Sequence, residues 1–126
     1  MATKYLGKHL IIEFYGCPPR MIDDERFLEE ILVESVVKAE GKIIGKIFHK
    51  FIPQGVTGII AIAESHVSIH TWPENGYMAL DVFTCGSRVD PWKIYRFVTE
   101  KIKHRNVKVV ELNRGEIVEV REVGRV

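Results

Sequence analysis

The chain has 126 residues, which is long enough to bury a hydrophobic core without disulfides or structural metals. Hydrophobic residues make up 46% of it and charged residues 28%, the proportions of an ordinary soluble globular domain. The formal net charge of +1 argues against nucleic acid or a membrane surface as a partner. No apolar run approaches the roughly 18 residues of a membrane span, and no apolar signal core follows the first residues. The sequence therefore predicts one domain, residues 1–126, in the cytoplasm.

The two cysteines, Cys17 and Cys85, are too few for a disulfide framework. In a reducing cytoplasm both are expected to be free thiols. Cys17 stands next to a Pro-Pro pair and is typical of a small buried side chain. Cys85 ends a strand-like segment within the stretch of residues 64–86, where polar side chains concentrate, so its thiol is a candidate for chemistry.

The first half of the chain predicts three strands and one helix. Residues 9–15 are typical of a buried strand that ends at a glycine and the Pro-Pro pair. Asp23 or Asp24 can cap a helix that runs to about residue 40. Residues 42–52 and 56–63 predict two more strands, and the second is apolar on both faces, which favours a central or stacked position. The helix carries one apolar stripe at helical spacing, formed by Phe27, Ile31, Leu32, Ser35, Val36 and Ala39.

The second half predicts a hairpin, a helix and a further strand pair. Residues 64–72 and 77–85 alternate as strands, and the four residues between them contain the Asn-Gly pair typical of hairpin turns. An Asp-Pro pair at residues 90–91 predicts a helix start, with Tyr95, Val98 and Ile102 on its inner face. Two short strands are expected at residues 107–112 and 117–120, on either side of an Arg-Gly turn.

Two helices and seven strands predict an α+β fold, a sandwich with the helices on one face of a largely antiparallel sheet. The other face of that sheet is expected to be apolar as well. Stacking two such sheets across a two-fold axis is the simplest way to cover it, so we expect a homodimer.

Chemistry-bearing residues concentrate between residues 64 and 86, inside an otherwise aliphatic sheet. Burying such groups is unfavourable unless they are paired, so their density suggests a functional site. If residues 73–76 form the hairpin loop, Trp72 lies opposite Tyr77 and Glu64 lies opposite Cys85. The Cys85 thiol is then expected beside the Glu64–Ser65 peptide bond.

The predicted strand separates Ser65 from His70. Five residues of extended chain span roughly 16 Å, and the two side chains point to opposite faces. We therefore expect Ser65 and His70 to meet only across a two-fold interface and not within one chain.

Several other site chemistries can be weighed from the same residues. His66 and His70 share a strand face but lie roughly 13 Å apart, too far for one metal ion, so no metal is predicted. Ser65 lacks the Gly-x-Ser-x-Gly motif of a serine hydrolase. A thiol hydrolase that uses Cys85 with a histidine stays open, as does a binding or regulatory module without catalysis.

Residues 64–74, ESHVSIHTWPE, and residues 81–86, DVFTCG, form a block with a specific spacing. Residues 49–51, 53–58 and 6–9 extend it over most of the chain, most weakly near the C-terminal end. This block resembles the prokaryotic S-adenosylmethionine decarboxylases.

The resemblance implies a proenzyme that cleaves itself between Glu64 and Ser65, giving a β chain of residues 1–64 and an α chain of residues 65–126. Ser65 Oγ replaces the preceding amide by an ester, and β-elimination and hydrolysis then leave a pyruvoyl group and ammonia. The pyruvoyl carbonyl forms a Schiff base with the substrate amine and acts as electron sink when carbon dioxide leaves. The implied lyase reaction decarboxylates S-adenosylmethionine to the aminopropyl donor of spermidine and other polyamines.

The resemblance also implies roles for individual residues in catalysis and processing. Cys85 matches the proton donor to the product carbanion. His70 matches the base that takes the α-proton of Ser65 during elimination. Thr57 matches a hydroxyl that assists processing, at a position where the family often has serine.

The substrate pocket implied by the resemblance involves aromatic and acidic residues. Phe51 matches the ring that stacks on adenine, and Glu74 matches the carboxylate for the ribose hydroxyls. Trp72 lines the same pocket. In this family the site is shared, with Ser65 and Cys85 from one subunit of a homodimer and the pocket residues and the base from the other.

Two alternatives remain beside the main hypothesis. A related pyruvoyl-dependent enzyme could decarboxylate arginine with the same motif residues. A regulatory homologue could bind a nucleoside and stay a single, unprocessed chain.

Overall fold

A computed structural model of the protein describes residues 4–117. Its elements follow in the order β1 (Lys4–Tyr15), α1 (Pro19–Ile22), α2 (Glu25–Lys38), β2 (Ile43–Lys50), β3 (Val56–Ile62), β4 (Ser65–Trp72), β5 (Tyr77–Cys85), α3 (Pro91–Lys101) and β6 (Asn106–Ile117). A short 3-10 turn, Pro73–Asn75, joins β4 to β5. Within the described range, every helix is too short or too polar to span a bilayer.

The strands form one antiparallel sheet in the order β2-β3-β4-β5-β1-β6. Along the four central strands, buried side chains alternate with more exposed ones, so one face of the sheet is covered and the other is open. The helices α2 and α3 pack on the covered face and share one hydrophobic core with the strands. The predicted α+β fold, with helices on one face of a largely antiparallel sheet, is confirmed.

Each long helix begins at an aspartate. Asp24 Oδ1 accepts a hydrogen bond of 3.0 Å from the Phe27 N–H at the start of α2. Asp90 Oδ1 accepts one of 2.9 Å from the Trp92 N–H at the start of α3. Such caps satisfy N–H groups that have no partner within the helix. Because Asp24 is the cap of α2, the side chain of Asp23 is available for another contact.

The hairpin between β4 and β5 has the predicted register. Trp72 lies opposite Tyr77 and His70 lies opposite Ala79. The connecting turn ends at Gly76, whose φ of +60° is left-handed and therefore suits glycine. The turn and the register together determine which residues stand at the two ends of β4.

The region between β1 and α2 differs from the prediction. β1 begins at Lys4 rather than at residue 9, because Lys4 and Tyr5 pair with β6, and Gly7 and Lys8 pair with both β5 and β6. The Pro-Pro pair does more than end this strand, since it starts the short helix α1 (Pro19–Ile22). A proline is well suited to the first turn of a helix, where its missing N–H is not needed.

The predicted turn at the Arg-Gly pair near the C-terminus is wrong. β6 continues through it and pairs with β1 from Asn106 opposite Tyr15 to Ile117 opposite Lys4. The long β1 offers a partner along this whole length, so pairing satisfies more backbone groups than a local turn would. Gly115 has a φ of +73°, a left-handed conformation that suits glycine, and lies within this continuous strand. The strand predicted for residues 117–120 lies, beyond its first residue, outside the described part of the chain.

The open face of the sheet carries exposed apolar side chains on β2, β3 and β6. Ile47 is 67% exposed, Ile59 41%, Val110 50% and Leu112 40%. No element among residues 4–117 covers these side chains. A surface of this kind is typical of a protein–protein contact.

Adjacent valines on α2 provide a test of the core. Val36 is fully buried and Val37 is 59% exposed. We expect Val36→Ala to lower the free energy of unfolding by about 2 kcal/mol, because it removes buried methyl groups and leaves a cavity. Val37→Ala should change it by less than about 0.5 kcal/mol. Urea unfolding followed by circular dichroism measures both, and equal effects would contradict the described packing.

Candidate active site

The first part of the candidate site surrounds the Glu64–Ser65 peptide, at the start of β4. The Cys85 N–H, at the end of β5, donates a hydrogen bond of 2.7 Å to the carbonyl oxygen of Glu64. This contact agrees with the register predicted from the sequence. It polarises the carbonyl whose carbon a neighbouring hydroxyl could attack.

Ser65 itself has an unusual backbone conformation. Its φ is +136°, a value that residues with a side chain rarely adopt. Backbone outliers of this kind store strain of roughly 1–3 kcal/mol and concentrate at functional sites. The strained residue is thus the one whose hydroxyl adjoins the polarised carbonyl.

The side chain of Glu64 anchors this peptide in the protein. Glu64 is only 7% exposed. Its Oε1 accepts a hydrogen bond of 3.3 Å from the Lys42 N–H, and its Oε2 lies 3.7 Å from Arg88 Nη1. Sequence reasoning missed Lys42 and Arg88, because both are far from Glu64 along the chain and carry no motif of their own.

The second part of the candidate site is a cleft of about 410 Å³ at the other end of β4. All the predicted pocket residues, together with the predicted base and its hydroxyl neighbour, line it. Its lining consists of Phe51, Gln54, Gly55, Val56, Thr57, His70, Thr71, Trp72 and Glu74. Gln54 was not assigned a role from the sequence, although it lies inside the matched block. A cleft of this size accommodates a nucleoside-sized ligand.

Within this cleft, His70 is held by its cross-strand neighbour. Thr57 lies opposite His70 in the β3–β4 ladder, and Thr57 Oγ1 forms a hydrogen bond of 3.0 Å with His70 Nδ1. A partner on Nδ1 orients the ring and leaves Nε2 as the other reactive nitrogen. Phe51 is 46% exposed and Trp72 41%, so both rings offer aromatic surface to a ligand.

The two parts of the site do not meet within one chain. β4 is a continuous strand from Ser65 to Trp72, so Ser65 and His70 are separated by roughly 16 Å. His70 lies on the open face, and the buried neighbours Ile69 and Thr71 point to the helices. The separation predicted from the sequence is present in the structure.

A polar network, which the sequence reasoning also missed, occupies the middle of the open face. His9 Nε2 donates a hydrogen bond of 2.9 Å to Asp81 Oδ1, and Arg114 Nη1 lies 3.2 Å from His9 Nδ1. The Tyr77 hydroxyl donates to Glu13. Desolvation, followed by this hydrogen bond, raises the pKa of Tyr77. These groups are therefore paired within the chain.

A match to known proteins shows which family the chain belongs to. The model of the S-adenosylmethionine decarboxylase family matches residues 8–115. The chain belongs to this family. The S-adenosylmethionine decarboxylase proenzyme of Caldicellulosiruptor saccharolyticus is 49% identical over 110 residues, which cover 87% of this chain and 89% of the relative. That of Moorella thermoacetica is 50% identical over 112 residues, covering 89% and 90%.

A solved member of the family has the same fold. The crystal structure of the adenosylmethionine decarboxylase from Aquifex aeolicus matches with a TM-score of 0.86 and 31% identity, over 95% of this chain and 99% of that one. The resemblance inferred from the sequence is therefore confirmed.

The two thiols of this family member lie in different environments. Cys17 is buried, and burial raises the pKa of its thiol to about 11. Cys85 is exposed. Both are unpaired, as predicted.

This difference predicts selective alkylation. At pH 8 about one Cys17 thiol in a thousand is a thiolate, so iodoacetamide should modify Cys85 and leave Cys17 intact in the folded protein. Peptide mass spectrometry locates the label. Cys85→Ala should remain unlabelled until urea exposes Cys17, and labelling of Cys17 in the folded variant would refute the assignment.

Proposed function

We propose that the chain is a proenzyme that cleaves itself between Glu64 and Ser65, converts Ser65 into a pyruvoyl group and then decarboxylates S-adenosylmethionine. The products of cleavage are residues 1–64 and 65–126, and the decarboxylated product donates aminopropyl groups in polyamine synthesis. Family membership and relatives named proenzymes support this proposal. The observation that carries the cleavage step is the strained Ser65 beside a carbonyl bound by the Cys85 N–H.

The first step replaces an amide by an ester. Ser65 Oγ attacks the carbonyl carbon of Glu64, and the negative charge develops on the oxygen that already accepts the Cys85 N–H. The carbon–nitrogen bond then breaks, and the nitrogen of Ser65 takes up the proton that the hydroxyl loses. Exchange of an amide for an ester is uphill in an ordinary peptide, and release of the backbone strain at Ser65 offsets part of that difference.

The second step breaks the bond between Cβ and Oγ of Ser65. His70 takes the α-proton of Ser65, and Glu64 leaves as the carboxylate end of the first chain. The remaining dehydroalanine tautomerises to an imine, and water converts it into the pyruvoyl group and ammonia. The hydrogen bond from Thr57 orients His70 for this task.

The residues of the site fit a pyruvoyl group and S-adenosylmethionine as its substrate. The pyruvoyl group, once formed, supplies the electron sink for loss of carbon dioxide. The exposed Cys85 thiol donates the proton to the product carbon. Phe51 and Trp72 offer aromatic surfaces for the adenine, and the Glu74 carboxylate accepts hydrogen bonds from the ribose hydroxyls.

Completion of the site requires a second copy of the chain. Since Ser65 and His70 of one chain lie roughly 16 Å apart, the partner supplies His70 together with the substrate cleft. Two open sheet faces stacked across a two-fold axis would cover the apolar residues exposed on β2, β3 and β6. The assembly is therefore a homodimer. A cytoplasmic location belongs to the same proposal, because the two unpaired thiols suit a reducing compartment.

The alternatives have less support. Decarboxylation of arginine would not use two exposed aromatic rings and a carboxylate suited to ribose. A regulatory homologue without chemistry would not need the strained serine beside a polarised carbonyl.

Cleavage is tested by intact mass spectrometry. The wild-type chain of 14.5 kDa should separate into two chains, the second of which lacks an amino terminus and reacts with a carbonyl reagent. Ser65→Ala should remain one chain, because it has no hydroxyl to attack the carbonyl. Ser68→Ala, on the same strand, is the matched control and should cleave like the wild type.

The same preparations are assayed for release of labelled carbon dioxide. Only cleaved protein should release it from S-adenosylmethionine, and arginine should yield none. Full activity in a chain with an intact Glu64–Ser65 peptide would refute the proposal, and release from arginine alone would refute the substrate.

The shared site is tested by complementation. Cys85→Ala and Glu74→Ala should each be inactive alone. Co-expressed, they form heterodimers with one intact site each, so activity should return to about a quarter of the wild-type level for random pairing. Labelled carbon dioxide again measures the activity.

The control for complementation pairs variants on the same side of the site. Cys85→Ala with Ser65→Ala leaves no intact site in any dimer and should stay inactive. Absence of recovery with Cys85→Ala and Glu74→Ala would place the whole site within one chain and refute sharing.

A further inference from the structure

The loop between β2 and β3 holds one wall of the substrate cleft. It carries Phe51 and Gln54, both of which line the cleft. The Phe51 N–H donates a hydrogen bond of 2.8 Å to the carbonyl oxygen of Gly55 and so closes the base of the loop. The position of the Phe51 ring therefore depends on how this base is held.

A side chain from the corner between α1 and α2 reaches the loop base. Asp23 Oδ1 accepts a hydrogen bond of 2.8 Å from the Gly55 N–H, across 32 residues of sequence. The same oxygen lies 3.2 Å from Lys50 Nζ, which donates a bond of 3.0 Å to the Phe51 carbonyl oxygen. Asp23 and Lys50 thus contact both ends of the loop that presents Phe51.

The backbone has an unusual conformation at Gly55, where Asp23 contacts the loop. Gly55 has a φ of +108°, which a residue with a side chain rarely adopts. A Cβ there would lie 3.2 Å from the Thr71 carbonyl oxygen, so the loop also passes close to β4. The next N–H, that of Val56, donates a bond of 2.9 Å to Thr71 Oγ1. Two successive N–H groups are therefore bound by side chains from different elements.

Asp23 lies next to the substrate cleft but outside it. A smaller cleft of about 250 Å³, lined in part by Asp23, also includes Gln54 and Glu74, which line the substrate cleft as well. Asp23 itself does not line the substrate cleft. Its hydrogen bond goes to the loop and its ion pair goes to Lys50, so the loop is the bonded contact through which a change at Asp23 reaches the substrate.

We propose that Asp23, together with Lys50, is a positioning pair that fixes the loop of Phe51 and thereby sets the affinity for the nucleoside part of the substrate. This inference rests on the proposed function, in which Phe51 stacks on adenine. The pair takes no part in self-cleavage, because its side chains bond to each other and to the backbone of the Phe51 loop, and not to Thr57 or His70. Small displacements of a binding group weaken binding strongly, so loop anchoring affects the substrate more than the fold.

The stability contribution of the pair is small. Asp23 and Lys50 have side chains that are 29% and 31% exposed, and exposed ion pairs contribute little to folding. Glu29 and Lys46 form a comparable ion pair between α2 and β2, with no contact to the loop. Glu29→Ala is therefore a matched control.

The test compares steady-state kinetics of purified, cleaved protein. Asp23→Ala should raise KM for S-adenosylmethionine about tenfold, with kcat changed less than about twofold, since it removes a hydrogen bond and an ion pair that hold the binding loop. Asp23→Asn keeps an oxygen acceptor for the Gly55 N–H and should recover most of the loss. Glu29→Ala should keep the wild-type KM. Calorimetric titration with methylthioadenosine, which lacks the reacting group, should show the same pattern in Kd.

The outcomes separate this inference from the proposed function. An unchanged KM and Kd in Asp23→Ala, or equal losses in Glu29→Ala, would overturn the positioning role. A fall in kcat with slowed self-cleavage would also overturn it, since it would connect Asp23 to the chemistry. A wild-type chain that neither cleaves nor releases carbon dioxide would instead refute the function, whatever Asp23 does to nucleoside binding.

Discussion

The pairing of β4 with β5 is the constraint on which the proposed chemistry depends. Its register brings the Cys85 N–H to 2.7 Å from the Glu64 carbonyl oxygen. A shift by one residue would turn every side chain of β4 to the other face of the sheet. The turn that ends at Gly76 and the buried residues Val67 and Ile69 hold this register. Residues remote from Ser65 therefore determine whether the carbonyl that precedes it is polarised by a hydrogen bond.

The same strand acts as a spacer, which is why the proposed site is built from two chains. Because β4 is extended, it cannot bring its own ends together, and a second sheet stacked on the open face is the simplest source of the missing groups. Covering that face would cost desolvation free energy if its charged side chains lacked partners. His9 with Asp81, and Glu13 with Tyr77, are already hydrogen-bonded within the chain. Because these side chains are already hydrogen-bonded, the polar network can be buried beneath a second sheet.

The sequence predicted local features better than long-range ones. Helix caps and the hairpin register follow from spacing along a few residues, which is why Asp90 and the pairing of Trp72 with Tyr77 were predicted correctly. The turn at Gly115 was predicted wrongly, because its true partner, the start of β1, lies more than a hundred residues away. The side-chain contacts of Glu64 with Lys42 and Arg88, and of Asp23 with Gly55, were not predicted. They depend on packing between elements, which leaves no periodic pattern in the sequence.

The position of the proposed cleavage between two paired strands explains how the fold could survive it. β3 ends at Ile62, which pairs with Ser65, so the cut falls in the short connection between neighbouring strands. After the proposed cleavage, the hydrogen bonds that join β3 to β2 and β4, and β4 to β5, would all be retained. The contacts of the buried Glu64 side chain with Lys42 and Arg88 would hold the new chain end in place. Strain at Ser65 can thus be relieved by cleavage while the ladder that positions Cys85 stays intact.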